Sequence, residues 1–384
     1  MVDLKSTRKK FILSSVLAFS VMNPFAVYAE VIKTEAVQEP TILTYEKAVE
    51  LAIKESNDLK NLKLDKESKT IKIDDALDQF GTSLYDPQVL ALMKLQKSDK
   101  INTNKTAKME NYIKQALAFK IKSTFTNINL MEKDLELKKM QLSNMNKKRD
   151  TLALKLEYGM ESRTNLTTKD IEINQAKKDI EKLEKELEEQ YIELNKSIGY
   201  DSFKRYEIEK IALEYEPIKD TQEDIDFKAT RAISSDINIW GKKQQLDIQR
   251  IDVDFYALNY ISGLPSNKQA NPTPYKALDL DSKITSNEIE QAKEDLRKSV
   301  IDKYNSIKKL EIAYENTNLK LKELEEKKRI LEVAIQAGTA INQDHEDLLL
   351  GIEEVNNGIE RIKTQHAMLV EMYNSPLLAG GNFN

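Results

Sequence analysis

Apolar side chains recur at spacings of three, four and seven along residues 128–156: Ile128, Met131, Leu135, Leu142, Met145, Leu152 and Leu156. That period is the seam of an amphipathic helix packed against a partner helix. The same row returns 179 positions later as Ile307, Leu310, Tyr314, Leu321, Leu324, Leu331 and Ile335. Its polar interruptions return with it, Lys138 and Arg149 in the first row and Thr317 and Lys328 in the second. Each row then meets a glycine, Gly159 or Gly338, again 179 apart. Shared defects at a constant offset point to a tandem duplication of one long helical hairpin.

Each hairpin has a return arm with the same spacing. The first carries Leu166, Ile173, Ala176, Ile180, Leu183, Leu187 and Leu194; the second carries Leu348, Ile352, Val355, Ile359, Ile362, Leu369 and Tyr373. The outgoing arms read as helices over 110–157 and 286–337, the second behind Thr285 as a cap. Upstream, Thr44 reads as the N-cap of a shorter helix that continues to Gln79 and stops near Gly81. Its counterpart is placed by matching Asn57-Asp58-Leu59 to Ser235-Asp236-Ile237, an offset of 178. Between the units, 206–211 alternates and reads as one short strand before Pro217. The expected organisation is therefore a lead-in at 30–43, helical repeat 1 at 44–202, a connecting segment with a short strand at 203–221, helical repeat 2 at 222–376 and a disordered tail at 377–384. The fold class is all-α, built from antiparallel coiled-coil hairpins.

Composition agrees with long solvated helices: charged residues make up 32% and aromatics 7%. The net charge of −5 comes from interleaved Lys and Glu, which argues against nucleic acid as a partner. Glu181/Lys185 and Glu323/Lys327 are i,i+4 pairs on outer faces. Lys5, Arg8, Lys9 and Lys10 precede a mostly apolar stretch from Phe11 to Phe25, and Val27-Tyr28-Ala29 ends in a small residue. Residues 1–29 thus read as a signal peptide with the mature chain starting at Glu30, an uncleaved N-terminal anchor being the alternative. The expected location is the cell envelope: the outer membrane if there is one, otherwise the extracytoplasmic cell surface. The chain has no cysteine, so neither disulfides nor a lipid-modified cysteine enter the picture.

Candidate chemistry is sparse. There is no Gly-rich phosphate loop, and the two histidines, His345 and His366, lie 21 residues apart on the second return arm. They read as seam or lumen-facing side chains, with metal rings across subunits as the alternative. Trp240 reads as a packing residue. No carboxylate pair stands out as a general acid and base. The expectation is a protein that is not an enzyme and uses no cofactor.

Leu43-Thr44-Tyr45-Glu46-Lys47-Ala48-Val49-Glu50-Leu51-Ala52, followed by Asn57-Asp58-Leu59, resembles the opening of the TolC-like outer-membrane efflux channels. So do Tyr158-Gly159-Met160-Glu161-Ser162-Arg163-Thr164-Asn165-Leu166 and Gly338-Thr339-Ala340-Ile341-Asn342-Gln343-Asp344-His345-Glu346-Asp347. The resemblance spans about residues 43–376. It implies a homotrimer whose helices form a hollow barrel, a passive conduit in an efflux or secretion system. It also implies that the hairpin tips, Gly159, Met160, Glu161, Ser162, Gly338, Thr339, Ala340 and Ile341, dock an adaptor protein of an inner-membrane ABC or RND pump. Asp344 and Asp347 match aspartates that ring the narrow aperture, with an acidic first helical turn as their alternative reading. Ala340 stands where the best-known members carry an aperture-locking arginine.

The membrane segments depart from that pattern. Family members insert strands between the helices of each unit, and a lipid-facing strand alternates over about 9–11 residues. Here 80–109 carries the continuous run Val89-Leu90-Ala91-Leu92-Met93 and then a polar stretch, and 263–284 carries Pro265, Pro272 and Pro274. Neither supplies two strands, so the barrel segments are expected to be reduced or missing. Two functions stay open at this point. A conduit needs seams on both flanks of its helices around a polar inner face; an exported coiled-coil scaffold without a lumen needs one seam per helix.

Overall fold

The computed structural model describes residues 42–78, 86–261 and 272–380. The signal peptide, the lead-in as far as Thr41, the stop at Gly81, Pro265 and the last four residues lie outside the described residues. Repeat 1 comprises α1 (Tyr45–Glu55), α2 (Asn57–Asp78), α3 (Asp86–Glu157) and α4 (Arg163–Ile198). Repeat 2 comprises α5 (Gln222–Ser235), α6 (Ile237–Ile261), α7 (Pro272–Gln336) and α8 (Asn342–Asn374). Among the described residues the strands are β1 (Ile42–Leu43) and β2 (Glu207–Ile208), paired in parallel with Ile42 opposite Glu207.

The two repeats share their local chemistry. Ser56 interrupts the first short pair of helices and its Oγ accepts from Leu59 N–H; Asp236 interrupts the second and its Oδ1 accepts from Ile239 N–H. Each polar side chain satisfies an orphan donor of the helix that follows. These breaks are 180 apart, which corrects the expected register of 178 by two residues. Asn57 resembled Ser235 in type, but the cap geometry pairs Ser56 with Asp236. Thr44 caps α1 by accepting from Lys47 N–H, and Glu209, delivered by the strand pairing, accepts from Tyr45 N–H. The connecting segment therefore clamps the start of repeat 1.

Both cores sit where a short helix crosses the middle of a long one. Ala48 and Ala52 of α1 meet Ile121, Phe125 and Ile128 of α3 and Leu194 of α4. Ala229 and Ala232 of α5 meet Val300 and Ile307 of α7 and Tyr373 of α8. Ile121, Ile128 and Leu194 map onto Val300, Ile307 and Tyr373 at the 179 offset. The alanines are completely or almost completely buried, and their methyl side chains let the short helix lie close to the long ones. Glu311 ties the connecting segment to repeat 2: it accepts from Ile218 N–H at 2.7 Å and Lys308 Nζ at 2.8 Å, with His366 Nε2 at 3.4 Å.

The long helices are longer than their periodicity predicts. α3 begins at Asp86 rather than near 110, so its 72 residues span about 108 Å. α7 begins at Pro272, upstream of the expected cap at Thr285, which is helical. The polar stretch 97–105 falls in the expected connection upstream of 110; in the fold it is a half-buried to exposed part of α3, which bonds α6 through Lys97 and Asp247. Pro272 and Pro274 fall in the first turn of α7, where the missing N–H breaks no helical bond. The tail also departs from expectation. Leu378 packs with Phe119 and Met372, and Ala379 is buried with its carbonyl accepting from Lys303 Nζ at 2.7 Å. The described helices run close to both connections: α2 ends at Asp78 and α3 begins at Asp86, while α6 ends at Ile261 and α7 begins at Pro272.

Enlarging the alanine contact tests this core. Ala48→Leu and Ala229→Leu should each destabilise the protein by about 1–3 kcal/mol in chemical denaturation, whereas Ala→Leu at the exposed Ala91 should change it by less than about 0.5 kcal/mol.

Candidate functional site: the hairpin tips and the seam between the hairpins

The two tips close by the same backbone device. At the first, Gly159 N–H donates to Leu156 C=O and Met160 N–H to Lys155 C=O. At the second, Gly338 N–H donates to Ile335 C=O and Thr339 N–H to Ala334 C=O. This is the Schellman pairing that ends a helix, and it requires a left-handed residue, here Gly159 at φ 70° and Gly338 at φ 72°. Beyond each glycine the tips diverge. Ser162 caps α4 by accepting from Asn165 N–H, and Glu161 accepts from Ser162 N–H and Asn165 Nδ2. Those bonds, the one from Ser162 N–H foremost, hold the Glu161 carboxyl below its usual range. At the second tip the capping position is Ile341, which makes no side-chain cap bond, and Thr339 Oγ1 instead donates back to Ala334 C=O. Tyr158, Met160 (70% exposed) and Ile341 project apolar surface from the tips.

Below the tips the hairpins are joined along α3 and α8. From the core outward, Lys122 pairs with Glu371 at 2.6 Å, Lys133 with Glu360 at 3.4 Å, Asp134 with Arg361, and Lys147 with Glu346 at 2.8 Å. The densest knot contains one of the two candidate aperture residues. Asp347 accepts from Lys148 Nζ at 2.6 Å and Asn144 Nδ2 at 2.6 Å, and Asn144 Oδ1 accepts from Gln343 Nε2 at 2.6 Å. Partial burial would raise the Asp347 pKa, but the bonds from Lys148 and Asn144 outweigh it and leave the carboxyl below its usual range. Asp344 is exposed in the first turn of α8 and takes no part in this knot. Two polar pairs at i,i+4 spacing, Asn144/Lys148 and Gln343/Asp347, thus face one another across the hairpins. Each pair is visible in the sequence; their juxtaposition is not, because it depends on the register between the two hairpins.

His366 is buried against Glu311 and Tyr215, and Tyr215 stacks on Tyr314 at 3.8 Å. His345 lies 3.3 Å from Glu332 across its own hairpin. Among the described residues no three His, Asp or Glu side chains converge as metal ligands. Trp240 is half-buried, with the Lys108 ammonium 5.8 Å from its ring centroid.

No protein-family model matches the chain, and no curated protein sequence does. Solved structures do. CusC, from a study of conformational changes accompanying folding and transmembrane channel formation, aligns over 88% of this chain and 92% of its own, with a TM-score of 0.62 and 12% identity. The outer membrane protein VceC from Vibrio cholerae aligns over 88% and 97%, with a TM-score of 0.60 and 10% identity. The Campylobacter jejuni CmeC outer membrane channel aligns over 88% and 86%, with a TM-score of 0.59 and 12% identity. Among the described residues the chain is helical apart from its loops and one short strand pair, and it has a TolC-like fold.

The Asp347 knot has a defined acid limit. A carboxyl with a depressed folded pKa contributes stability above its unfolded value near 3.9, and loses that contribution as pH falls through the lower folded value. Spin labels on Thr151→Cys and Leu349→Cys should report an unchanged distance between α3 and α8 at pH 5 and a broadened one well below pH 4. Asp347→Asn should remove that pH step at a cost of about 0.5 kcal/mol, since the Lys148 pair is a third exposed.

Proposed function

We propose that this chain is one subunit of a TolC-like conduit, exported to the cell envelope and closed into a tube by further copies of itself. The observation that carries the proposal is the number of seams per helix. α3 packs against α4 on one flank and against α8 on the other; α8 packs against α3 and α7. A lumen-free scaffold of paired hairpins needs one seam per helix, whereas a tube wall needs two.

The duplication indicates what closes the tube. Carried forward by 179, the α3 side of the hairpin–hairpin seam falls on α7; carried back, the α8 side falls on α4. Within one chain, the corresponding flanks of α7 and α4 have no neighbour of this kind. On α7 the row Ile312, Leu319 and Val333 is exposed; of the equivalent positions on α3, Lys133 pairs with Glu360 of α8, while Met140 and Leu154 are exposed as well. The charge pair Lys122–Glu371 becomes Ile301 on α7 facing Ile192 on α4 of the next copy. Such a heterologous contact closes into a ring when the rotation permits; three copies are the number the family resemblance implies.

In this reading the conduit performs no chemistry. Its tips, Gly159 to Ser162 and Gly338 to Ile341, dock an adaptor through the exposed Met160, Tyr158 and Ile341, and an inner-membrane ABC or RND pump supplies the energy. Asp344 and Asp347 lie at the narrow end. Asp347 acts there through its knot with Lys148 and Asn144, holding the hairpins together, and Asp344 supplies an exposed carboxylate that favours cations.

Two measurements test the reading. With cysteines only at Ile192→Cys and Ile301→Cys, a short bis-maleimide should join copies into closed trimers, and light scattering should give the same stoichiometry; a stable monomer at micromolar concentration would sink the tube. Met160→Asp should change stability by no more than about 0.5 kcal/mol while abolishing crosslinking to the adaptor. Intact crosslinking would remove the docking role from the tip.

A further inference from the structure

A groove of about 1060 Å³ lies between α3, α7 and α8. α7 and α8 give Val300, Ile307 and Tyr373 to the core under α5 and turn a different set of side chains to this groove. Its apolar lining is Phe119 from α3, Leu310 from α7, and Met368, Leu369 and Met372 from α8. Phe119 and Met372 are buried, whereas Leu310, Met368 and Leu369 are only half-covered and leave apolar surface in the opening. Five ionisable groups share the groove, Lys298, Lys303 and Lys309 against Asp295 and Asp302. Four of them are exposed; Lys303 is only 9% exposed. Its ammonium donates to Ser299 Oγ at 2.9 Å and to the Ala379 carbonyl at 2.7 Å, which uses two of its three donors. A buried cation normally has an anion to balance it. Here both acceptors are neutral, and burial pushes the Lys303 pKa below the usual lysine range, the exposed Asp302 offsetting this only in part.

We propose that the groove binds a small amphipathic anion, its charged head on Lys303 and its apolar body on Phe119, Met368 and Met372. The head takes the remaining Lys303 donor and balances a charge that the fold leaves uncompensated, a charge-assisted bond of the strong kind. Lys298 and Lys309 attract it from the rim. The body covers apolar surface that is otherwise open to water. Methionine side chains, flexible and polarisable, adapt to bodies of different shape. The size suits a small molecule, since ligand pockets run to roughly 1,000 Å³. A cationic head fits less well, because it meets three ammonium groups against two carboxylates. The site is complete within one chain and does not depend on the conduit reading.

Decanoate and decyltrimethylammonium share one apolar chain and differ in the sign of the head. Isothermal titration calorimetry of the full-length protein, with each amphiphile below its micelle concentration, should give decanoate an affinity at least about tenfold higher. Inorganic sulfate, a head without a body, should bind at least about tenfold more weakly than decanoate. Lys303→Met should cost decanoate at least about tenfold and erase the preference for the anion, while Lys303→Arg should retain it. Met368→Glu, at a half-covered position, should weaken decanoate at least about tenfold as well, with unchanged circular dichroism. The cysteine-free chain lets a fluorophore report the place. NBD on Gln365→Cys at the groove should respond to decanoate at the calorimetric midpoint, and NBD on Met160→Cys at the tip should not. Equal affinity for the two amphiphiles would overturn the proposal, as would sulfate binding as tight as decanoate or a silent label at 365. Decanoate binding that survives both Lys303→Met and Met368→Glu would also overturn it, assigning the amphiphile to another segment such as residues 11–25.

Discussion

A helix with apolar or bonding side chains on two flanks cannot satisfy both with a single partner, and that constraint organises this molecule. α3 buries one flank in its own hairpin and gives the other to α8 through a row of charge pairs from Lys122–Glu371 to Lys148–Asp347. The hairpin seam is mainly apolar and the seam between hairpins is largely ionic. Partly exposed ion pairs contribute little stability individually, but they set register, since a slip of one turn would misplace every pair. The polar seam therefore fixes how the two hairpins meet.

The stability lies elsewhere, at the level where α1 and α5 cross the long helices. Ala48, Ala52, Ala229 and Ala232 have no room for a larger side chain, and Phe125 and Tyr373 are among the largest fully buried side chains. From that level toward the tips burial declines, and Leu137 is one of the few buried residues on the outer half of α3. A firm waist with lightly packed arms is suited to arms that move relative to one another while the waist stays intact. The connecting segment reinforces the waist, held by β1 at one end and by the Glu311 cluster at the other.

The starts of α3 and α7 have a physical basis in their sequences. An alternating strand needs one polar and one apolar face, and the run Val89 to Met93 is apolar all round. In the fold it is helical, with Leu90 buried against a neighbour and Val89 and Met93 exposed. The two prolines that would spoil a strand ladder in 272–274 are harmless as the first turn of α7.

The hairpins, their glycine tips and the long-helix class were all legible from residue spacing alone, because a helical seam repeats every three to four residues and left-handed turns select glycine. The cap at Thr44 belongs to the same local chemistry. Lengths were less legible: a half-buried to exposed helical segment rich in polar residues, as over 97–105, has the composition of a loop. The knot joining Asn144, Lys148, Gln343 and Asp347, the burial of His366 beside Glu311 and the pairing of Ile42 with Glu207 were decided only by tertiary structure. Each joins residues far apart in the chain whose meeting depends on how one rigid hairpin is set against another, and no local periodicity encodes that relation.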